Sequence, residues 1–276
     1  MENEKKKFES QGLKVAALSY DSGALLADFA RRKAITYPLL TDPDSRVIRA
    51  FGILNENFPK DHDWFGVPFP GTYIVNEKGI VSAKYFEEDH RDRYTAANVF
   101  TKTFGSVAGD GWSVVETPHL KLRMWATDTV LRPGSRVNLV LEVELKPKMH
   151  VYAPGVQATY KPIDWTIGSS TAWQAHKSSF PTARTLRLEV IDETVPVYEG
   201  NFRLTRDLTI GQQDELRQAL AGANDLTIGG SFRYQACDDR QCFPPVTVPL
   251  AWKFQLEAHD GHRVQQELRR RPRKNP

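Results

Sequence analysis

Cysteine is nearly absent from this sequence of 276 residues: there are two, Cys237 and Cys242, and none before them. A thiolate is the nucleophile of thiol chemistry. Any such chemistry encoded here therefore falls on that one pair, within YQACDDRQCFPP. Long apolar runs are also missing. None approaches the ~20 residues of a membrane-spanning helix, and the charged opening MENEKKKFES does not fit a signal peptide. Neither sign of charge dominates: 37 Lys and Arg stand against 34 Asp and Glu, a net +3. Nothing in that balance points to a nucleic-acid partner. The basic residues gather only at the end, in RRRPRKNP, where a solvated tail over 258–276 is expected. Histidines are sparse near the cysteines. His259 and His262 lie beyond another strand pattern, so the four ligands of a zinc site are lacking. No metal and no cofactor is expected.

What is present is ordinary globular composition, 40% hydrophobic and 26% charged. The length suits two domains. Residues 1–104 alternate helix and strand patterns. LKVAALS (Leu13 to Ser19) reads as a short buried strand. Asp21 or Ser22 caps a helix that sets Leu25, Leu26, Phe29 and Ala30 on one face. YPLLTDPDS is a turn-rich connector, and SRVIRAFGI is a short helix ending near Gly52. GTYIVNEKGIVSAKYF reads as a hairpin turning at Asn76–Gly79, and RDRYTAANVFTKTF as a closing helix. A glycine-rich stretch marks a linker over 105–112. From 113 to 257 the pattern is almost all strand. Val137, Leu139, Leu141, Val143 and Leu145 alternate strictly, as do Leu186, Leu188 and Val190, and Trp252, Phe254 and Leu256. Such strands broken by Pro and Gly predict a β-sandwich, with one helix at QQDELRQALAG. Trp125, Trp165, Trp173 and Trp252 are expected in its core.

The cysteines stand five positions apart. On an extended strand they would be about 16 Å apart, while a bridge needs Cα atoms within roughly 7 Å. Bonding would therefore require DDRQ to turn the chain back. A bridge closing six residues contributes only about 2 kcal/mol in the loop-entropy model, which a domain with a full core does not need. A structural staple, free thiols and a working redox pair all stay open on this evidence. Asp238 and Asp239 raise the pKa of a neighbouring thiol, which suits a passive carrier better than an attacking thiolate.

Two resemblances bear on the choice. YPLLTDPDSRVIRAFGI and GVPFPGTYIVNEKGIV are similar to the second half of a redoxin domain of the peroxiredoxin (AhpC/TSA) and thioredoxin-like kind, over about residues 1–104. The resemblance implies a partial thioredoxin-like α/β domain and a cis peptide at Pro70. It also implies a nucleophilic cysteine at the start of the first long helix, after two strands, and this sequence contains neither those strands nor that cysteine. The chain is thus expected to be an N-terminally truncated redoxin, or a degenerate one kept as a docking platform. Residues 1–104 as given should not act as a thiol peroxidase.

SFRYQACDDRQCFPPVTVPL resembles the cysteine hairpin of the N-terminal domain of DsbD, the disulfide bond corrector domain, and the likeness runs over about 113–257. It implies an immunoglobulin-like β-sandwich, a periplasmic or otherwise exported setting, and electron transfer through Cys237 and Cys242 to a thioredoxin-fold partner. That partner could be the intact redoxin domain of the same chain. Within it, MHVYAPG (149–155) matches the strand beside the cysteines, with His150 and Tyr152. PVYEG (196–200) falls where the family has a cap loop, with Val197 and Tyr198 over the pair. His150 is a candidate for tuning a thiolate, though a plain hydrogen-bonding role is simpler. Cys237, which ends a strand, is the sulfur expected to link to the partner, with Cys242 resolving. The alternatives are a non-catalytic β-sandwich interaction module, or a thiol peroxidase whose cysteine lies upstream.

Overall fold

In a computed structural model, residues 1–62, 65–87, 89, 91–105, 112–156, 160–188, 193–220 and 222–259 are described. Of the expected linker, 106–111 lie outside the described residues, as do 260–276 of the basic tail, and Val190. The chain divides into two units at Gly105/Ser106, the second running to Ala258.

The first unit opens with a 3-10 turn, Glu2–Glu4, and α1 (Lys5–Ser10). A short strand β1 (Ala17–Ser19) runs parallel to β2 (Leu39–Thr41), and α2 (Gly23–Arg32) connects them. Of the two cap candidates, Ser22 is the one used: its Oγ accepts from the Leu25 amide. Asp42 explains the TDPDS connector. Its buried carboxylate accepts from the Arg46 and Ile48 amides, both at 2.9 Å, and so caps α3 (Arg46–Ala50). The hairpin β3 (Gly71–Val75) and β4 (Val81–Phe86) turns where Asn76 Oδ1 accepts from Lys78 N and Ile80 N. A two-residue strand β5 (Arg93–Tyr94) and α4 (Ala96–Phe104) complete the unit. Its small core joins Phe8, Val99 and Phe100, with Leu13, Val15, Ile74 and Tyr85 packed on them.

Two expectations fail here. The Leu13–Ser19 run is not a buried strand: only Ala17–Ser19 is extended, and Leu18 is 37% and its neighbour Leu40 50% exposed. A parallel pair with no third strand among the described residues has too little surface to bury both faces. The Phe69–Pro70 bond is trans, since there is no cis peptide among the described residues. The segment before it is held extended by the Leu54–Pro68 bridge and by Phe69 N donating to Ile53 O at 2.7 Å. That pairing carries the chain into β3 without a reversal. The following Gly71 is required for another reason: a Cβ there would lie 2.2 Å from the Phe86 ring.

The second unit is a β-sandwich of antiparallel sheets. One has the strand order β12 (Trp173–Ser179), β15 (Asn201–Ile210), β9 (Ser135–Leu145), β7 (Leu120–Ala126), β6 (Ser113–Glu116). The other runs β11 (Asp164–Ile167), β16 (Asp225–Tyr234), β18 (Val246–Leu256), β8 (Val130–Leu131), the last pair parallel. Alternation does the sorting. Leu139, Leu141 and Val143 of β9 meet Phe232, Leu250 and Phe254 in one core, and Trp165 lies 6.0 Å from Trp252. Each fully buried large side chain contributes about 1.5–3 kcal/mol, so this core does not depend on a crosslink. Trp173 packs at its border, and Trp125 is buried with its carbonyl accepting from Trp252 Nε1. Helix α5 (Gln213–Leu220) anchors through Leu216.

A third, smaller sheet carries the cysteines: β13 (Arg184–Leu188), β14 (Glu193–Glu199), β10 (His150–Tyr152), β17 (Ala236–Cys237). The segment expected as a cap loop is thus mostly strand β14, paired on both sides.

Candidate functional site

The hairpin builds itself from YQACDDRQCFPP. Ala236 O accepts from Phe243 N at 2.8 Å, and Asp238 N donates to Gln241 O at 2.9 Å. Between these rungs Cys237 and Cys242 face each other with Cα atoms 4.0 Å apart, and their sulfurs are bonded. Asp238 makes the turn. Its Oδ1 accepts from the amides of Arg240 and Gln241, both at 2.8 Å, and these bonds hold its carboxyl below the ordinary value. Gln235 ties the base of the hairpin down. Its amide donates to Phe243 O, and its Oε1 accepts from Lys161 N. Pro244 and Pro245 end the returning arm, since neither has an N–H with which to continue a ladder.

The two sulfurs are not equivalent. Cys237 is 2% exposed and packs with Tyr152, Val195 and Val197, while Cys242 is exposed. Cys237, the sulfur expected to link to the partner, does end strand β17, and the sheet beneath it buries that residue.

His150 and Tyr152 alternate onto the face of β10 that carries Cys237, and His150 is its direct cross-strand partner. The Tyr152 hydroxyl lies 3.4 Å from both sulfurs. A disulfide has no proton to give, so the hydroxyl is the donor. Burial first, and Glu193 second, push the Tyr152 pKa up. The His150 ring stands edge-on to Tyr152 at 5.7 Å. Burial pushes His150 below the usual imidazole value, against the pull of Glu199, Asp239 and Asp238. With the cysteines bonded, burial thus weighs against a charged ring at this position.

Val197 lies opposite Tyr152 and packs in the cysteine cluster. Tyr198 does not. Next along the strand, it points to the other face, donates to Pro181 O at 2.9 Å and stacks on Phe202 in the main core. Tyr160, which no motif signalled, lies 4.5 Å from the Tyr152 ring and donates to Glu193 at 2.6 Å, which pushes its pKa to about 12. Gln235, by contrast, was visible in the motif but had no assigned role. Pro70 belongs to the first unit. Among the described residues, no group of three or more acidic, His or Cys side chains could hold a metal, and no helix is long and apolar enough to cross a membrane.

Residues 1–84 match the AhpC/TSA family, and residues 123–251 match the family of the thiol:disulfide interchange protein DsbD, N-terminal. The chain joins a redoxin segment to an immunoglobulin-like β-sandwich of the DsbD N-terminal kind. Over 79 residues it is 38% identical to a Mycobacterium tuberculosis protein named as a peroxiredoxin, covering 28% of this chain and 50% of that one. Over 97 residues it is 28% identical to a Haemophilus influenzae protein named as the peroxiredoxin bcp, covering 33% of this chain and 59% of that one. The chain thus spans about half the length of the curated relatives it matches. A crystal structure of the N-terminal periplasmic domain of ScsB from Proteus mirabilis superposes with a TM-score of 0.33 at 15% identity, over 52% of this chain and 50% of that one. That likeness is too loose to carry weight.

Proposed function

We propose that the β-sandwich passes electrons by thiol–disulfide exchange through Cys237 and Cys242, with a thioredoxin-fold protein as partner, in an exported compartment. The observation that carries this is the asymmetry of the bonded pair on a turn that the core does not need. One sulfur is open to attack and the other is buried under a hydroxyl donor. A partner thiolate attacks Cys242 Sγ, the S–S bond breaks, and its electron pair goes to Cys237 Sγ. A mixed disulfide between partner and Cys242 results, and the partner's second thiolate resolves it, leaving the partner oxidised and both cysteines of this chain reduced. In the onward transfer Cys242 attacks the next disulfide and Cys237 resolves that adduct. The match to the DsbD N-terminal family supports both the exchange chemistry and the exported setting.

Trapping tests it. Cys237→Ser, with Cys242 charged by an aromatic disulfide, should form a stable mixed disulfide with a thioredoxin lacking its own resolving cysteine. Cys242→Ser should form far less. The reverse pattern would restore Cys237 as the docking sulfur. Capture by neither variant would leave the sandwich a non-catalytic interaction module.

A further inference from the structure

His150 combines four observations that the exchange scheme leaves unused. It is 6% exposed. Its Nε2 is buried and has no hydrogen-bond partner among the described residues. It lies directly across from Cys237 on the neighbouring strand, where cross-strand Cβ atoms stand about 5 Å apart. Its ring edge contacts the tyrosine whose hydroxyl faces both sulfurs. A buried polar atom without a partner is unfavourable, so its presence calls for a use that the bonded state does not show. Breaking the disulfide supplies one. It creates a buried thiol at Cys237, the sulfur on the side of the sheet that His150 shares.

Resting on the exchange reading above, we propose that His150 is the proton acceptor that activates Cys237 in the resolving step. The Cys237 thiol gives its proton to Nε2, the resulting thiolate attacks Cys242 Sγ in the mixed disulfide, and the partner leaves as a thiolate. One S–S bond breaks and one forms, and the imidazolium later loses its proton to solvent. Run backwards, the imidazolium returns the proton to the Cys237 thiolate as the bond parts. Three carboxylates around the ring act against the burial that disfavours its charged form. Glu199 of β14, Asp238 and Asp239 of the hairpin all stabilise an imidazolium, and Arg184 of β13 is held by Glu199. Tyr152, on His150's own strand, supplies a hydrogen bond to the sulfur rather than a charge. A neutral ring in a buried site is also the form that can accept a proton.

The test uses the reduced full chain and excess Ellman's reagent, which releases one coloured thiolate when Cys242 attacks it and a second when Cys237 resolves the adduct. In His150→Gln the second release should slow by about tenfold or more at neutral pH, while the first stays within about twofold. It should recover above about pH 9, where a thiol ionises unaided. The wild-type second phase should be nearly flat from about pH 7 to 9, and this measurement stands even if the variant does not fold. Overturning results are a wild-type second phase that climbs about tenfold per pH unit, or a variant whose two phases slow alike with unchanged pH dependence. If wild type never releases the second thiolate, the exchange reading falls, and the role of His150 with it.

Discussion

One hydroxyl, that of Tyr152, faces both sulfurs at 3.4 Å. It stays protonated because burial and Glu193 raise its pKa, so it remains a donor across the working range. Its bond to a neutral disulfide is weak, but its bond to a Cys237 thiolate would be charge-assisted, worth about 1.5–3 kcal/mol. Tyr152→Phe should therefore slow reduction of the disulfide by dithiothreitol by roughly tenfold or more, read by stopped-flow fluorescence. An unchanged rate would remove the hydroxyl from the chemistry. The residue scale is also where the sequence was most legible at this site. Tyr152, Val197 and Cys237 share one cluster, and Cys242 is bonded to Cys237 at its border. Tyr198 could not be separated from Val197 without the register, because neighbouring strand residues point to opposite faces. The burial of Cys237 depended on a sheet that no local pattern announces.

Among elements, the hairpin is held by more than its crosslink. Two backbone rungs, the Asp238 turn and the Gln235 tie are bonds that do not run through the sulfurs. Reduction should lower the melting temperature of the sandwich by only a few degrees, in line with about 2 kcal/mol for a six-residue loop. Asp238→Ala should widen that gap by loosening the reduced turn. A sandwich that unfolds on reduction would instead make the bond a staple. The alternating strands β9 and β18 could be read directly from the sequence, since a two-sided core imposes a period of two. Strand β14 could not, because Pro196 argues against a paired interior strand. It is tolerated because it stands opposite Ala153, just past the end of β10, where its carbonyl still accepts from Ala153 N. The cis bond assigned to Pro70 rested on resemblance alone, and the pairing around Phe69 replaced it.

At the scale of the whole molecule, two buried histidines make stability depend on pH. Burial lowers the pKa of His119, helped by Lys146, and burial lowers that of His150. A group with a depressed folded pKa binds more protons in the unfolded chain. Stability is then full above the unfolded value of about 6.5 and falls as pH drops through the window below it, by at most about 1.4 kcal/mol per pH unit for each histidine. Five of the six tryptophans lie in the sandwich, so their fluorescence follows its melting. The midpoint should fall between pH 7 and 5, and less steeply in His119→Gln. A midpoint that is flat or rises over that range would contradict the burial of both rings.

The small sheet ends in two-residue β17, and the backbone beyond it runs from Cys242 into Pro244 and Pro245. A visitor can share a sulfur bond there but finds few amides to zip against. What holds the encounter together is then mainly the covalent link itself, and once that link is exchanged there is little left to delay departure. In the exchange proposed above, such an edge would free the chain for its next partner, and β17 itself offers a second copy only a two-residue edge to pair with.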